Sequence, residues 1–343
     1  MAFPTDQNVS NPLQVNNAGD ARALGLKLFS GEVLSAWHAN NIALKLTRKR
    51  TIKSGKSAQF PLFGRGNASY HTPGKLIEAS KIPTVERTVT IDDVAISPVF
   101  IADIDEKILH FDTRSEYSME CGSQLGELVD RNVFRMVTQA GLITDQAAMT
   151  AAGLTAITGQ EYTQPIQMSG ASDHLDGTKI YAAIVKAVTE FRKKNIKEKP
   201  VVVLPPDQYA ALLTVPSVAN AVWLNRDVGG TGSIAEGYVP KVGGAPIYES
   251  NHIPSTDESS GISDPEPLAD VTVGSGNEAK YRGDYSNVVG LVFSRSAVAT
   301  TELWGINTKV VEEPLRLGHT ILATQALGHD ILRPECSIPL LKA

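Results

Sequence analysis

Two cysteines in 343 residues, Cys121 and Cys336, are too few for a disulfide scaffold. No Cys/His cluster has zinc spacing, and His71, His110, His319 and His329 have no neighbours at metal-ligand intervals. A reducing compartment is the expectation. No apolar run approaches the roughly 18 residues of a membrane-spanning helix. The opening Met1-Ala2-Phe3-Pro4-Thr5-Asp6 has no basic stretch and no apolar core, which argues against a secretory signal. The formal sequons at Asn8 and Asn67 are then expected to stay unmodified. A basic excess is missing too: 32 Lys and Arg against 37 Asp and Glu leave a net charge of -5. Proteins that coat nucleic acid are usually basic, so only weak, non-specific affinity for duplex DNA is expected.

Catalytic signatures are also absent. There is no G-x-S-x-G elbow and no H-E-x-x-H. Gly55-Lys56-Ser57 looks like the end of a P-loop, but Arg50 stands where the first glycine belongs and Pro61 where a helix should run. Asp103, Asp105 and Glu106 offer paired carboxylates, for which a helix-start acid cluster is the simpler reading. Cys121 reads as a small core residue.

What is present suits a folded chain of about two domains: 42% hydrophobic and 20% charged residues. Residues 1–19 are polar and Asn-rich and read as an arm. Ala21 to Leu46 reads as helix, with Leu24, Leu28, Val33, Leu34 and Trp37 on one face. Residues 45–56 carry six cations in twelve positions with no acid. They read either as a solvated basic loop or as contact with an acidic neighbour or nucleic acid. Residues 57–98 are punctuated by Pro and Gly, and Val85–Ile91 alternates, so a hairpin with a long exposed connection is expected.

Proline is absent from 99 to 164, where the strongest element lies. Thr113 and Glu116 form a capping box. Tyr117, Cys121, Leu125, Leu128, Val129, Met136, Val137 and Ala140 then follow a 3.6-residue period. A helix over 113–140 would be roughly 40 Å long. Gly122 and Gly126 either admit a second backbone or simply weaken it. A second helix is expected over 178–194, a buried strand over 201–204, one or two helical turns over 207–213, and a strand over 245–248. Residues 253–279 hold six acids and no Lys or Arg, and read as an exposed acidic loop. Residues 288–300 and 310–332 are strand-rich. Helices among antiparallel-looking strands give the fold class α+β.

Several stretches, in order, carry a resemblance. They are Gly31-Glu32-Val33-Leu34, SGKSAQFPLFGR at 54–65, IADIDEKILHFDTRSEYS at 101–118, SQLGE at 123–127, VVVLPPDQYAALL at 201–213, RSAVAT at 295–300 and GHDILRPE at 328–335. Together they resemble the major capsid proteins of short-tailed bacteriophages related to phage T-seven, and the wider Hong Kong 97 phage capsid fold. The resemblance implies an N-terminal arm and helix over 1–50 and an extended E-loop hairpin over 51–92 that reaches over a neighbouring subunit. It implies a peripheral domain over 93–175 with a spine helix, an axial domain over 176–310, and a return strand over 311–343. It also implies pentamers and hexamers of the chain in an icosahedral shell around double-stranded DNA, in the virion, assembled in the host cytoplasm through a procapsid that expands. Scaffolding and portal proteins are the implied partners; a decoration protein stays open. No catalytic residue, cofactor, metal or membrane is implied. Arg48, Lys49, Arg50, Lys53, Lys56 and Arg65 are the candidate inter-subunit contacts, and the helix face just named is the candidate structural core. The alternatives are a cytoplasmic α+β enzyme using the carboxylates near Asp103, and an encapsulin-like compartment.

Overall fold

The computed structural model describes residues 33–37, 41–66, 68, 70–77, 79, 81–102, 104, 114–157, 160–213, 241–262 and 277–343. Among them are helices α1 (Ala43–Leu46), α2 (Arg114–Leu142), α3 (Gln146–Ala151), α4 (Gly177–Lys193) and α5 (Pro206–Leu213). Residues 33–37 form a further helical turn. The strands are β1 (Arg48–Thr51), β2 (Ser57–Phe63), β3 (Thr84–Thr90), β4 (Ala95–Ala102), β5 (Ile166–Gln167), β6 (Val201–Leu204), β7 (Lys241–Val242), β8 (Ala245–Glu249), β9 (Val288–Phe293), β10 (Val298–Glu313), β11 (Gly318–Ile331) and β12 (Ser337–Leu341). The fold class is α+β.

The described residues group into two compact units. One takes 94–127 and 304–326 with the described residues up to Asn41; the other takes 42–93, 128–303 and 327–343. In the first, β4 pairs antiparallel with the start of β11, from Gly318 opposite Ala102 to Gln325 opposite Ala95. Ser97 on β4 bonds Gln124 of α2 at 3.0 Å.

The second unit is built on a six-stranded sheet in the order β5-β12-β9-β6-β8-β7. Val202, Leu204 and Val292 point to the side of α4, packing with Ile180, Ile184 and Phe191. Val203, Leu291 and Phe293 point to the other side, against Val133, Phe134 and Val137 of α2. Both faces are covered, which is why residues 201–204 read as a continuous apolar run.

Helix α2 starts at Arg114; Thr113, half of the expected capping box, lies outside the described residues. Cys121, Leu125, Val129, Met136 and Val137 are buried as expected. Tyr117 and Leu128 are not: Tyr117 is exposed and Leu128 only half-buried. At about 100° per residue both fall at the margin of the stripe centred near Val129 and Met136. Gly122 is explained by approach rather than weakness. A Cβ there would lie 2.3 Å from the Val33 carbonyl oxygen. Alanine would gain up to about 1 kcal/mol of helix propensity, but a backbone contact that short forces the 33–37 turn away. We expect Gly122→Ala to lower the urea midpoint; a raised midpoint would show that propensity wins.

The expected 21–46 helix is interrupted. Residues up to 32 and 38–40 lie outside the described residues, and Asn41 and Ile42 are not helical. The cause is Asp130 of α2, whose carboxylate accepts from the N–H groups of Ile42 and Ala43 at 2.9 and 3.0 Å and so starts α1 afresh. The 45–56 stretch is not one loop. Its Arg48–Thr51 segment is a strand, parallel to β10 with Arg48 opposite Ala299 and Thr51 opposite Glu302. It ends its sheet, and exposed cations on an edge strand discourage indiscriminate pairing.

Candidate functional site

The hairpin joins a packed root to an exposed connection. Strands β2 and β3 pair from Ser57 opposite Thr90 to Phe63 opposite Thr84. Alternation puts Ala58, Phe60, Leu62 and Val89 inward, where they pack with Ile157, Ala299 and Leu332. Pro61 is tolerated because the pair is a two-stranded ribbon with free outer edges. The inward Arg87 is 5% exposed and donates to the Thr155 carbonyl at 3.2 Å. Burial pulls its guanidinium below its ordinary value, opposed by the nearby Asp330 and Glu335 carboxylates.

Beyond Phe63 the chain leaves this core. In the connection between the strands Tyr70, Leu76, Ile77 and Ile82 are all exposed, Tyr70 completely. Four large apolar side chains exposed on one connection are more than the scattered single residues of an ordinary surface.

The basic candidates lie at the root of this hairpin. Arg48, Lys49 and Arg50 are exposed on β1, and Lys53 and Lys56 in the turn to β2. Lys49 meets Glu302 at 2.8 Å. Arg50 donates to the Gln59 carbonyl. Arg65 lies 3.4 Å from Glu161 and also donates to the Lys194 carbonyl. Part of the positive charge is therefore answered inside the chain. A cleft of about 420 Å³ opens beside the root, with Arg48, Arg65, Lys197, Glu198, Arg333 and Glu335 in its walls.

Two polar clusters escaped sequence reading. Arg135 Nε and Nη2 donate to Glu258 Oε2 and Oε1 at 2.7 and 2.9 Å, and Nη1 donates to Asn132 at 2.9 Å. Both partners are buried, with side chains 0% and 1% exposed. This corrects the reading of 253–279 as an exposed acidic loop at Glu258, whereas the neighbouring Asp257 is exposed as expected. Glu258 is an interior ligand of the long helix, held also by its N–H to the Gly283 carbonyl at 2.9 Å. Residues 263–276 lie outside the described residues.

The second cluster joins Asp92, which follows the hairpin, to Lys280 and the Tyr281 hydroxyl. Burial raises the Asp92 carboxyl, with Lys280 opposing, and raises the Tyr281 phenol well above its usual range. His329 is beside them, its ring 6.4 Å from that of Tyr281. None of this had a local signal, since Arg135–Glu258 and Asp92–Lys280/Tyr281 join distant segments. Asp103 and Asp105 lie outside the described residues. Among the described residues no three His, Cys, Asp or Glu side chains gather as a metal site, and no helix is long and apolar enough to cross a membrane.

Comparison with known proteins gives a consistent result. A family model described as Gp10A-like, major capsid protein, matches residues 59–341. The major capsid protein of Escherichia phage T7 is 30% identical over 327 residues, 93% of this chain and 92% of that protein. That of Enterobacteria phage T3 is 29% identical over 328 residues, 94% of this chain and 92% of that protein. The capsid structure of the cyanophage P-SCSP1u superimposes with a TM-score of 0.69 at 32% identity, covering 98% of this chain and 99% of that one.

Proposed function

The chain belongs to the Gp10A-like family of major capsid proteins, and from that premise we propose that its hairpin is the arm by which one subunit grips the next. The protein is a structural component of a phage shell with the Hong Kong 97-type fold, not an enzyme, and it assembles with copies of itself. The finer reading is ours. The chain gathers as pentamers and hexamers around double-stranded DNA, first on a scaffolding protein and around a portal, in the host cytoplasm, and the procapsid then expands. Residues 51–92 are the reaching hairpin, 93–175 the peripheral domain with its spine, 176–310 the axial domain, and 311–343 the return strand.

The observation that carries the hairpin role is the set of exposed Tyr70, Leu76, Ile77 and Ile82 on a loop anchored by a packed root. Burying such side chains contributes roughly 1.5–3 kcal/mol each, ample when repeated at every subunit. The cations at the root add steering and register more than affinity, since an exposed pair contributes under about 1 kcal/mol.

Two variants test this in the full chain. Deleting 68–80 should leave soluble, folded subunits that close no shells in electron micrographs. Changing Arg48, Lys49 and Arg50 together to Glu should slow closure most at low salt. The change at Lys49 also sets a carboxylate against Glu302, so a circular-dichroism melt must first show the fold intact. Normal particles from the deletion would end the proposal.

A further inference from the structure

The hairpin changes character at one point. Its inner part, up to Leu62 and from Val85 onward, is packed into the core. The boundary is marked by Gly64, whose N–H donates to the Pro83 carbonyl at 2.8 Å. A Cβ on Gly64 would lie 2.6 Å from Pro83 Cγ and 2.9 Å from Ile157 Cγ2, so the two chains cross there too closely for any other residue.

Two arginines hold this crossing from outside the ribbon. Arg333 Nη2 donates to the carbonyl of Phe63, the last residue of β2, at 2.7 Å. Arg65, one residue beyond the crossing, donates to the Lys194 carbonyl and faces Glu161. Arg333 is itself aimed: its Nη1 lies 3.3 Å from Glu335 Oε1. Glu335 Oε2 accepts from Gln160 Nε2 at 2.8 Å, and Gln160 Oε1 accepts from the Ile157 N–H at 3.0 Å. Arg333 and Glu335 come from the GHDILRPE stretch, to which the assembly reading assigns no task. The cleft of about 420 Å³ lies against these same side chains. On this side, then, charged hydrogen bonds beside a hollow add to the close contacts of Gly64 with Pro83 and Ile157.

We propose that Arg333, aimed by Glu335, and Arg65 form a clamp that sets the direction in which the described residues from Gly66 to Ile82 leave the root. Hydrogen bonds to main-chain carbonyls next to an open cleft can be exchanged for water without unfolding the apolar root. The arm can therefore re-aim about Gly64 while β2 and β3 stay in place. A single chain that meets neighbours at more than one angle in a closed shell needs such a joint. Arg333, Glu335 and Arg65 are positioning residues: they act through the arm and need not touch the neighbouring subunit. The inference rests on the reading of the hairpin as an inter-subunit arm.

The test uses the full chain as wild type, Arg65→Ala, Arg333→Ala, the double variant and Arg333→Lys. Soluble subunits are nicked with trypsin, and cleavage after Lys75 and Lys81 is followed by mass spectrometry. Melting temperature is recorded alongside. Each alanine variant should be nicked faster, the double by about tenfold, as local opening predicts, with an unchanged global melt. Arg333→Lys keeps the cation but loses the fork that spans Phe63 and Glu335, so it should fall between. Assembled with wild-type efficiency of initiation, the double variant should give shells of scattered diameter or open sheets. Wild-type nicking rates would overturn the clamp. Faster nicking with uniform wild-type shells would overturn its control of shell geometry. If Arg333→Ala is insoluble, Arg65→Ala, at a side chain 57% exposed, carries the nicking test alone. The 68–80 deletion separates this from the underlying reading: normal shells there would sink the arm itself, whatever the clamp variants do.

Discussion

Arg135→Ala should cost about 3–5 kcal/mol and yield mostly insoluble subunits. Arg135 and Glu258 are both fully out of water and joined by two hydrogen bonds at 2.7 and 2.9 Å. Together they balance a large desolvation penalty; with the guanidinium gone, the Glu258 carboxylate stays interior with no countercharge. A domain is stable by only about 5–15 kcal/mol, so that loss consumes much of the margin. Glu258→Gln should be milder than Glu258→Ala, because the amide oxygen still accepts from Arg135, although the cation is left uncompensated. The informative control removes both charges. Arg135→Met with Glu258→Leu should recover most of the loss, because the penalty comes from the unpaired charge and not from the missing pair. Urea midpoints of soluble subunits measure this. A single Arg135→Ala variant within about 1 kcal/mol of wild type would mean that water reaches the pair.

The same pair shows where sequence reading stops. The α2 stripe, the Val85–Ile91 alternation and the apolar 201–204 run were legible because each is a local pattern set by its own backbone geometry. The exposed β2–β3 connection was legible because Pro and Gly mark its path and a core cannot form there. Glu258 was misread because it stands among Asp257, Asp264 and Glu266, and a run of acids ordinarily faces solvent; its partner is 123 positions away. β1 was missed because four exposed residues, three of them cations, show no alternation; its strand character comes from pairing with β10. Tyr117 and Leu128 were placed inside because periodicity defines a face but not its margins. The clamp residues Arg333 and Glu335 were noticed as a motif, yet their work depends on Phe63, 270 positions earlier.

The largest pH effect should come from His329. Its side chain is 2% exposed, and Nδ1 lies 2.9 Å from the Thr300 hydroxyl. Burial, with Lys280 close by adding repulsion, brings its pKa from 6.5 to about 3. The unfolded chain therefore takes up a proton near 6.5 that the native chain refuses until about 3. Between those values the unfolded state holds more protons, so stability is full above about 6.5 and is lost as the pH falls, by about 1.4 kcal/mol per unit. Asp92 and Asp330 act in the opposite sense. Burial raises both carboxyls above 3.8, so the native state binds their protons first, and acidification through that window favours folding. The expected curve is thus a steep decline from pH 6.5 to about 5, about 2 kcal/mol in all, followed by a flatter stretch where the carboxyls begin to titrate. His329→Gln keeps a group that can bond Thr300 but does not ionise. Its difference from wild type isolates the imidazole from His252, which lies 3.3 Å from Asp130 and is common to both proteins. Urea midpoints at pH 7.5, 6.0 and 5.0 should diverge on acidification, the variant gaining on wild type at each step. Parallel curves would show that His329 is protonated, or free to reach water, in the native subunit.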